Sequence, residues 1–260
     1  MTGGADRVVV LGVPIDPLTV DSLHARLLTF VRADRRATVL HANVHAINLA
    51  RRHGWFAQVL QRADIVFCDG HGVMLGARIL GQQLPARITY ADWMWQLAAW
   101  CEQNGLSLFL LGASPGVAGR AAAHLQSRYP RLTIAGTHHG FFDMAAGHPA
   151  SLAVVDEINA TGPDLVVVGF GMPLQERWIA DHRSRLQVPV VLSGGAVFDY
   201  VSGDLKRAPA WMAATRLEWL GRLLIEPRRL FGRYVLGNPL FLTRVLWQRL
   251  RSGATSRRTR

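Results

Sequence analysis

The sequence of 260 residues predicts an α/β fold in which helices flank a largely parallel sheet. Short apolar, β-branched runs alternate with longer stretches of helical periodicity, a pattern typical of strand–helix–strand units. Several runs are continuously apolar rather than alternating, which favours strands covered on both faces. Half of the residues are apolar and only 18% are charged, which excludes intrinsic disorder for most of the chain.

The elements follow one another in order along the chain. Strands are predicted at Val8–Leu11, Thr38–His41, Ile65–Phe67, Ser107–Leu111, Leu132–Gly136, Leu165–Val168 and Val188–Leu192. Amphipathic helices are predicted over residues 19–31, 92–103 and 116–128, and Thr19 or Asp21 is expected to cap the first of them.

The formal net charge of +11 is concentrated near the C-terminus. Residues 1–202 hold 16 basic and 15 acidic side chains, whereas residues 203–260 hold 13 basic and 3 acidic ones. We therefore divide the chain into an α/β domain (1–202), a basic helical appendage (203–251) and a disordered end (252–260).

The appendage contains a helix predicted from Pro239 to Arg251. Its narrow polar stripe is Arg244, Gln248 and Arg251, and most of its remaining surface is apolar and includes Trp247. This pattern suits a membrane interface, although a core helix or a subunit interface would show it too.

Targeting and cysteine signals are weak in this sequence. Cys68 and Cys101 have no metal-ligand spacing, and no secretory signal or apolar stretch of about 18–20 residues is present. We expect a cytoplasmic protein with reduced thiols.

Three glycine-rich turns follow predicted strands, at residues 112–119, 169–176 and 193–199. Glycine allows a phosphate to approach the backbone, and the N-terminus of the next helix presents free N–H groups to an anion. The turns thus favour a nucleotide or phosphate ligand, although none has the dinucleotide or P-loop pattern.

A carboxylate lies at the end of another predicted strand, in Asp69-Gly70-His71-Gly72. It can act as a general base toward a hydroxyl group. Alternatively, Asp69 caps the next helix.

Six segments in this order resemble the WecG/TagA/CpsF family, which is glycosyltransferase family 26. They are Asp69–Gly72, Gln82–Asp92, Gly169–Glu176, Gly194–Asp199, Gly203 with Lys206–Pro209, and Leu217–Arg229. The resemblance covers about Val8 to Phe231, and the ordered set is more specific than any one segment.

The resemblance implies a hexosyltransferase that moves a sugar from a UDP-sugar to a polyprenyl-diphosphate-linked saccharide, with inversion and without a metal or other cofactor. The reaction is expected at the inner face of the cell membrane, in cell-wall or exopolysaccharide assembly. The family implies a Rossmann-like sheet, an appendage that closes the site and reaches the anionic membrane, and often a homo-oligomer.

The resemblance also assigns residues. Asp69 matches the proposed base, and Asn43, Arg87 and Gln175 match polar pocket residues. Arg222 and Arg229, with Arg233 beside them, fall where appendages place phosphate-binding arginines. The remaining substrate-binding candidates are His41, Gly70, Thr89, Asp92, Gly112, Gly169, Gly171, Glu176, Gly194, Gly195, Asp199 and Arg207.

The residues themselves agree with a reaction that needs no metal. No D-x-D occurs in the chain, so the usual carboxylate pair for a diphosphate-bound cation is missing. Arginines and helix N-termini would then neutralise the departing UDP. For Asn43 the alternative is that it satisfies local backbone groups after a strand.

Three positions depart from the family pattern. His41 replaces a frequent threonine, Tyr90 replaces the glycine of the second segment, and His71 lies inside the first. These differences bear on which sugar is bound, so the donor stays open. His71 is expected to be a packed or solvated loop residue.

The sequence disfavours two other classes of protein. A basic segment with aromatic residues is typical of nucleic-acid binding, but the appendage lacks a known motif and is too apolar, so no nucleic-acid partner is expected. A dehydrogenase-like protein is disfavoured because the glycine fingerprint and the ribose-binding acid are absent.

Overall fold

A six-stranded parallel sheet forms the centre of the protein in a computed structural model, which describes residues 6–206, 212, 218–225 and 227–258. Its strands are β3 (Ala37–Ala42), β4 (Ile65–Cys68), β5 (Ser107–Gly112), β6 (Thr133–His138), β7 (Leu165–Gly169) and β8 (Val190–Ser193), in the order β4-β3-β8-β7-β5-β6. Every neighbouring pair in this sheet is parallel. The predicted α/β, Rossmann-like class is confirmed.

The first predicted strand lies outside this sheet. β1 (Val8–Val10) pairs antiparallel with a strand that was not predicted, β2 (Val13–Ile15), across a turn in which Leu11 and Gly12 both have positive φ. β2 has only three residues with Pro14 at its centre, and proline normally argues against a strand.

Nine helices precede the appendage in the described residues. They are α1 (Val20–Arg32), α2 (Val44–Arg52), α3 (Gly54–Arg62), α4 (His71–Ile79), α5 (Tyr90–Asn104), α6 (Val117–Arg128), α7 (Pro149–Thr161), α8 (Leu174–His182) and α9 (Val197–Ser202). The three predicted helices are confirmed as α1, α5 and α6. Thr19 caps α1 in a reciprocal pair with Ser22.

Two apolar cores lie on the two faces of the sheet. Along β5, Phe109 and Leu111 belong to one core, and Leu108 and Leu110 belong to the other. All four side chains are fully buried, as the continuously apolar runs predict.

From residue 218 onward, the described part of the appendage is helical. It comprises α10 (Glu218–Ile225), α11 (Pro227–Phe231), a π-helical turn (Gly232–Leu236) and α12 (Gly237–Arg258). The predicted helix of the appendage is α12, but it runs to Arg258, into the segment 252–260 for which the sequence predicts disorder. Ser252, Gly253, Thr255 and Ser256 have low helix propensity, so the extension depends on the packed turns that precede it.

The appendage is joined to the α/β domain through α12. Phe241 and Val245 are buried in the core of the domain, and the Asn48 amide on α2 donates to the carbonyl of Gly237 at 2.8 Å. Arg244 donates to Asn48 Oδ1 at 3.2 Å, and Gln248 Oε1 accepts from Leu11 N–H at 3.2 Å. These polar residues thus contact the domain.

The opposite face of α12 is apolar and exposed. Leu246, Trp247 and Leu250 are 51%, 61% and 71% exposed. Among the described helices, none is both long enough and apolar enough to traverse a bilayer.

Candidate active site

The candidate site lies at the carboxyl edge of the sheet, where β4, β3, β8 and β7 are neighbours. Asp69 follows β4, Asn43 follows β3, Gly194 follows β8, and Gly169 ends β7. Ligands bind at this edge in open α/β sheets. The sheet order therefore brings Asp69 together with two of the three glycine-rich turns.

His41 connects β3 to both of its neighbours. Its Nδ1 atom lies 2.8 Å from Ser193 Oγ and 3.1 Å from the Ser193 carbonyl oxygen, while its backbone N–H donates to the same Oγ at 3.2 Å. The other ring nitrogen, Nε2, lies 3.9 Å from Asp69 Oδ2. Burial lowers the pKa of His41, and the charge of Asp69 opposes that shift.

Asp69 does not cap a helix. α4 begins at His71, and its N-cap residue is Gly70, with no side-chain hydrogen bond at the cap. The Asp69 backbone N–H donates to the Ala42 carbonyl at 2.9 Å, and the side chain is 22% exposed. The alternative of a capping aspartate is therefore wrong, and the carboxylate is accessible to a ligand.

The turn after Asp69 requires glycine. Gly70 has φ of 148°, a backbone conformation that residues with a Cβ atom rarely adopt. His71, the first residue of α4, is half-buried and not in a loop.

Asn43 is the N-cap of α2. Its Oδ1 atom accepts from the Ala46 N–H at 3.0 Å, as the structural alternative for this residue predicts. The cap uses one lone pair of the side-chain oxygen, so a substrate could contact either the second lone pair or the amide nitrogen.

The segment before α5 is held against β4, because the Ile88 N–H donates to the Cys68 carbonyl at 2.8 Å. Arg87 is half-buried in this segment. Among the described side chains, the buried hydroxyl groups of Thr89 and Tyr90 have no hydrogen-bond partner. Burial and then the charge of Asp69 raise the pKa of Tyr90 well above its usual value.

Gln175 joins the turns after β7 and β8. Its Oε1 atom accepts from the Gly195 N–H at 2.9 Å and the Gly171 N–H at 3.2 Å, and its Nε2 donates to Glu176 Oε1 at 2.7 Å. Both side chains are completely buried. Burial raises the pKa of Glu176 to about 7, and its second oxygen has no partner among the described residues.

Arg233, in the π-helical turn, brings positive charge to this edge. Burial is the main cause of the pKa shifts of His41, His45 and Glu176, and the charge of Arg233 lowers the pKa of all three. For His45 the pKa falls to about 4. Arg207 and the side chains of Arg222 and Arg229 lie outside the described residues.

Gly112 and Gly169 have a packing role where β5 meets β7. Gly112 has φ of 146°, and a Cβ atom there would collide with the Gly169 carbonyl. A Cβ atom on Gly169 would lie 2.8 Å from the Phe198 ring. These two glycines allow the strand ends to approach each other.

Asp92 lies in α5 and Asp199 lies in α9. Asp92 is exposed and lines a cavity of about 790 Å³ with Tyr200 and Lys206, and none of the described strand-end residues lines that cavity. The Asp199 carbonyl accepts from the Leu205 N–H at 2.8 Å.

Sequence reasoning missed Ser193 and His45. Ser193 directly precedes the Gly194-Gly195 pair, which was the available signal, but its contact with His41 depends on the pairing of β3 with β8. In the described part of the chain, no three His, Cys, Asp or Glu side chains form a cluster that could hold a metal ion.

Comparison with known proteins shows the family of the chain. The model of the glycosyl transferase WecG/TagA/CpsF family matches residues 8–255. N-acetylglucosaminyldiphosphoundecaprenol N-acetyl-beta-D-mannosaminyltransferases of Staphylococcus aureus strains NCTC 8325 / PS 47, COL and MW2 are each 30% identical over 241 residues, covering 92% of both chains. The resemblance is confirmed, and the chain belongs to the WecG/TagA/CpsF family of glycosyltransferases.

Proposed function

We propose that the protein transfers a hexose from a UDP-sugar to a polyprenyl-diphosphate-linked saccharide, with inversion and without a metal ion. The observation that carries this is the position of Asp69, an accessible carboxylate that caps no helix and lies where the strand ends of β4, β3, β8 and β7 meet. The acceptor class is supported by the relatives, whose name specifies N-acetylglucosaminyl-diphosphoundecaprenol.

The chemical step needs one base. The acceptor hydroxyl oxygen attacks the anomeric carbon from the face opposite the diphosphate, and its proton passes to Asp69. The bond from the anomeric carbon to the diphosphate oxygen breaks, and UDP leaves with the electron pair. A single displacement inverts the anomeric configuration.

Positive charge near this edge supports departure of UDP. Arg233 acts electrostatically on His41 and Glu176, which supports the proposal that its guanidinium stabilises developing phosphate charge. The N-terminus of α2 opens at the same edge and adds a favourable dipole. These groups, with no D-x-D in the sequence, favour transfer without a cation.

A membrane surface is the proposed location. Leu246, Trp247 and Leu250 form an exposed apolar face on α12, and the segment 203–260 carries a net charge of +10. Apolar insertion and attraction to anionic lipid together suit an interfacial helix. A polyprenyl acceptor would be presented at that surface.

The decisive experiment incubates the full chain with a panel of UDP-sugars and polyprenyl-diphosphate N-acetylglucosamine, in EDTA, and measures UDP release. We expect turnover with one donor, an inverted anomeric centre by NMR, and loss of at least 100-fold in Asp69→Asn. Asp181→Asn, on the exposed side of α8, is the control. Loss of activity in EDTA contradicts metal independence, and full activity of Asp69→Asn contradicts the base.

Vesicle flotation tests the membrane assignment. We expect the full chain to float with anionic vesicles and to remain in solution with neutral ones. Retention on duplex DNA without vesicle binding would favour the nucleic-acid alternative.

A further inference from the structure

We propose that His41 is a positioning residue for the catalytic base: Ser193 fixes its tautomer so that Nε2–H is directed at the Asp69 carboxylate. This inference rests on the proposed role of Asp69 as the base. The arrangement links the ends of three neighbouring strands, β8, β3 and β4.

The hydrogen bonds of the Ser193 hydroxyl group determine which tautomer of His41 is present. The hydroxyl oxygen already accepts from the His41 backbone N–H at 3.2 Å, so its own hydrogen needs an acceptor. Ser193 is completely buried, and among the described residues His41 Nδ1, at 2.8 Å, is the acceptor within reach. A buried Ser193 hydroxyl without an acceptor would lower the stability of the folded state. Nδ1 therefore accepts, and the ring proton is on Nε2.

The alternative tautomer is less favourable. Nδ1–H could donate to the Ser193 carbonyl at 3.1 Å, but the buried hydroxyl would then lose its acceptor. It would also turn the bare Nε2 lone pair toward the negative Asp69. Both consequences oppose that form.

The 3.9 Å between His41 Nε2 and Asp69 Oδ2 is longer than a direct hydrogen bond. Contacts of this kind commonly shorten when substrate binds. In the Nε2–H form, the imidazole presents an N–H donor to the carboxylate, which fixes the orientation of that group. Asp69 held in this orientation can accept the proton of the acceptor hydroxyl.

Other charged and titratable groups lie near His41 and Asp69. Arg233 approaches from the appendage, Tyr90 from α5, and Cys68 directly precedes Asp69. Burial and then Asp69 raise the pKa of Tyr90 well above its usual value and that of Cys68 to about 12, so both stay neutral in the physiological range. Among the described residues, Arg233 is the cation that acts on His41, and it opposes protonation of the ring. Arg87 acts on the neighbouring Cys68.

The first test reads the tautomer directly. Nitrogen-15 spectra of histidine-labelled full chain, with the His41 signals assigned by their loss in His41→Gln, should show a protonated Nε2 and a bare Nδ1. Ser193→Ala should populate the Nδ1–H form, since the hydroxyl donor is gone. A bare Nε2 in the unmodified chain, or an unchanged tautomer in Ser193→Ala, would overturn the proposal.

The second test reads the consequence for catalysis. In Ser193→Ala and His41→Phe we expect kcat to fall by about tenfold with little change in the KM for the donor, because the base is misoriented while the binding groups are retained. His41→Gln, whose amide can donate from nearly the same place, should recover most of the lost kcat. His53→Phe, at an exposed position between α2 and α3, is the control and should leave kcat and KM unchanged.

A purely structural role for His41 predicts a different result. The loss of kcat would then be as large in His41→Gln as in His41→Phe and would follow the loss of thermal stability, and that outcome overturns the proposal. Failure of the base assignment is distinguishable, because Asp69→Asn would then keep full turnover whatever the His41 variants do. The nitrogen-15 measurement needs no turnover and stands in either case.

Discussion

Phe241 of α12 lies directly against Gly76 of α4, so that a Cβ atom at position 76 would come within 2.6 Å of the phenyl ring. The ring is buried, and the same space is bounded by Val10 of β1. A residue near the end of the chain thus completes the core beside the helix that follows Asp69. Attachment of the appendage is therefore coupled to packing near the candidate site.

Substitution Gly76→Ala should loosen this attachment. The added methyl group collides with a buried aromatic ring, and overpacking of this kind costs about 1–3 kcal/mol. Chemical denaturation should show the lower free energy of unfolding, and limited proteolysis should show faster cleavage within 218–258. Gly54→Ala, where nothing lies within 4 Å of the new atom, is the matched control. Equal stability of the two variants would contradict the packing argument.

Glu176 should make the protein less stable as the pH rises. Burial raises its pKa from 4.5 to about 7, so the folded state binds its proton more tightly than the unfolded chain. The contribution of Glu176 to stability is therefore fully present below about pH 4.5 and is lost as the pH rises through about 7. Glu176→Gln should gain on the order of 3 kcal/mol relative to the unmodified chain at pH 8 and almost nothing at pH 4.

The measurement is urea denaturation at both pH values. Asp181→Asn, on the exposed side of the same helix, controls for removal of a carboxylate. A gain of the same size at pH 4 and pH 8 would show that the effect is not one of ionisation.

The sheet and its carboxyl-edge turns were predictable because their signals are local. Continuously apolar runs such as Leu165–Val168 identify buried strands, and glycines after them mark the turns. The order of the strands is not local. The contact of His41 with Ser193 spans 152 residues and exists because β3 and β8 are neighbours, which no spacing in the sequence reveals.

Contacts that sequence patterns do not reveal also explain where Asp69, Asn43 and α12 differ from expectation. Asp69 and Asn43 both follow strands and both could cap a helix, yet only Asn43 does, because α2 begins directly after it whereas Gly70 intervenes before α4. The periodicity of α12 distinguishes polar from apolar positions but not which of them meet the domain. Arg244 and Gln248 pair with Asn48 and Leu11, so an apolar face is left exposed.

Asn43 should contribute to stability through its cap. Asn43→Ala removes the acceptor for the Ala46 N–H and should cost about 1 kcal/mol, whereas Asn43→Ser retains a capping oxygen and should remain close to the unmodified chain. Thermal unfolding measures the difference. If the loss of turnover matches the loss of stability in both variants, the capping role of Asn43 explains its whole effect. A stable but inactive Asn43→Ser would instead show that the amide group of Asn43 contacts the substrate.

The exposed face of α12 should govern membrane affinity. Trp247 and Leu250 contact water in the protein described here, and burying such a side chain in an apolar medium contributes about 1.5–3 kcal/mol. Trp247→Ser combined with Leu250→Ser should therefore weaken binding to anionic vesicles by about 100-fold or more, with little change in thermal stability because neither side chain is buried. Phe141→Ser, which removes an equally exposed aromatic residue after β6, should leave binding unchanged. Equal loss in both variants would mean that general surface hydrophobicity, and not α12, holds the protein on the membrane.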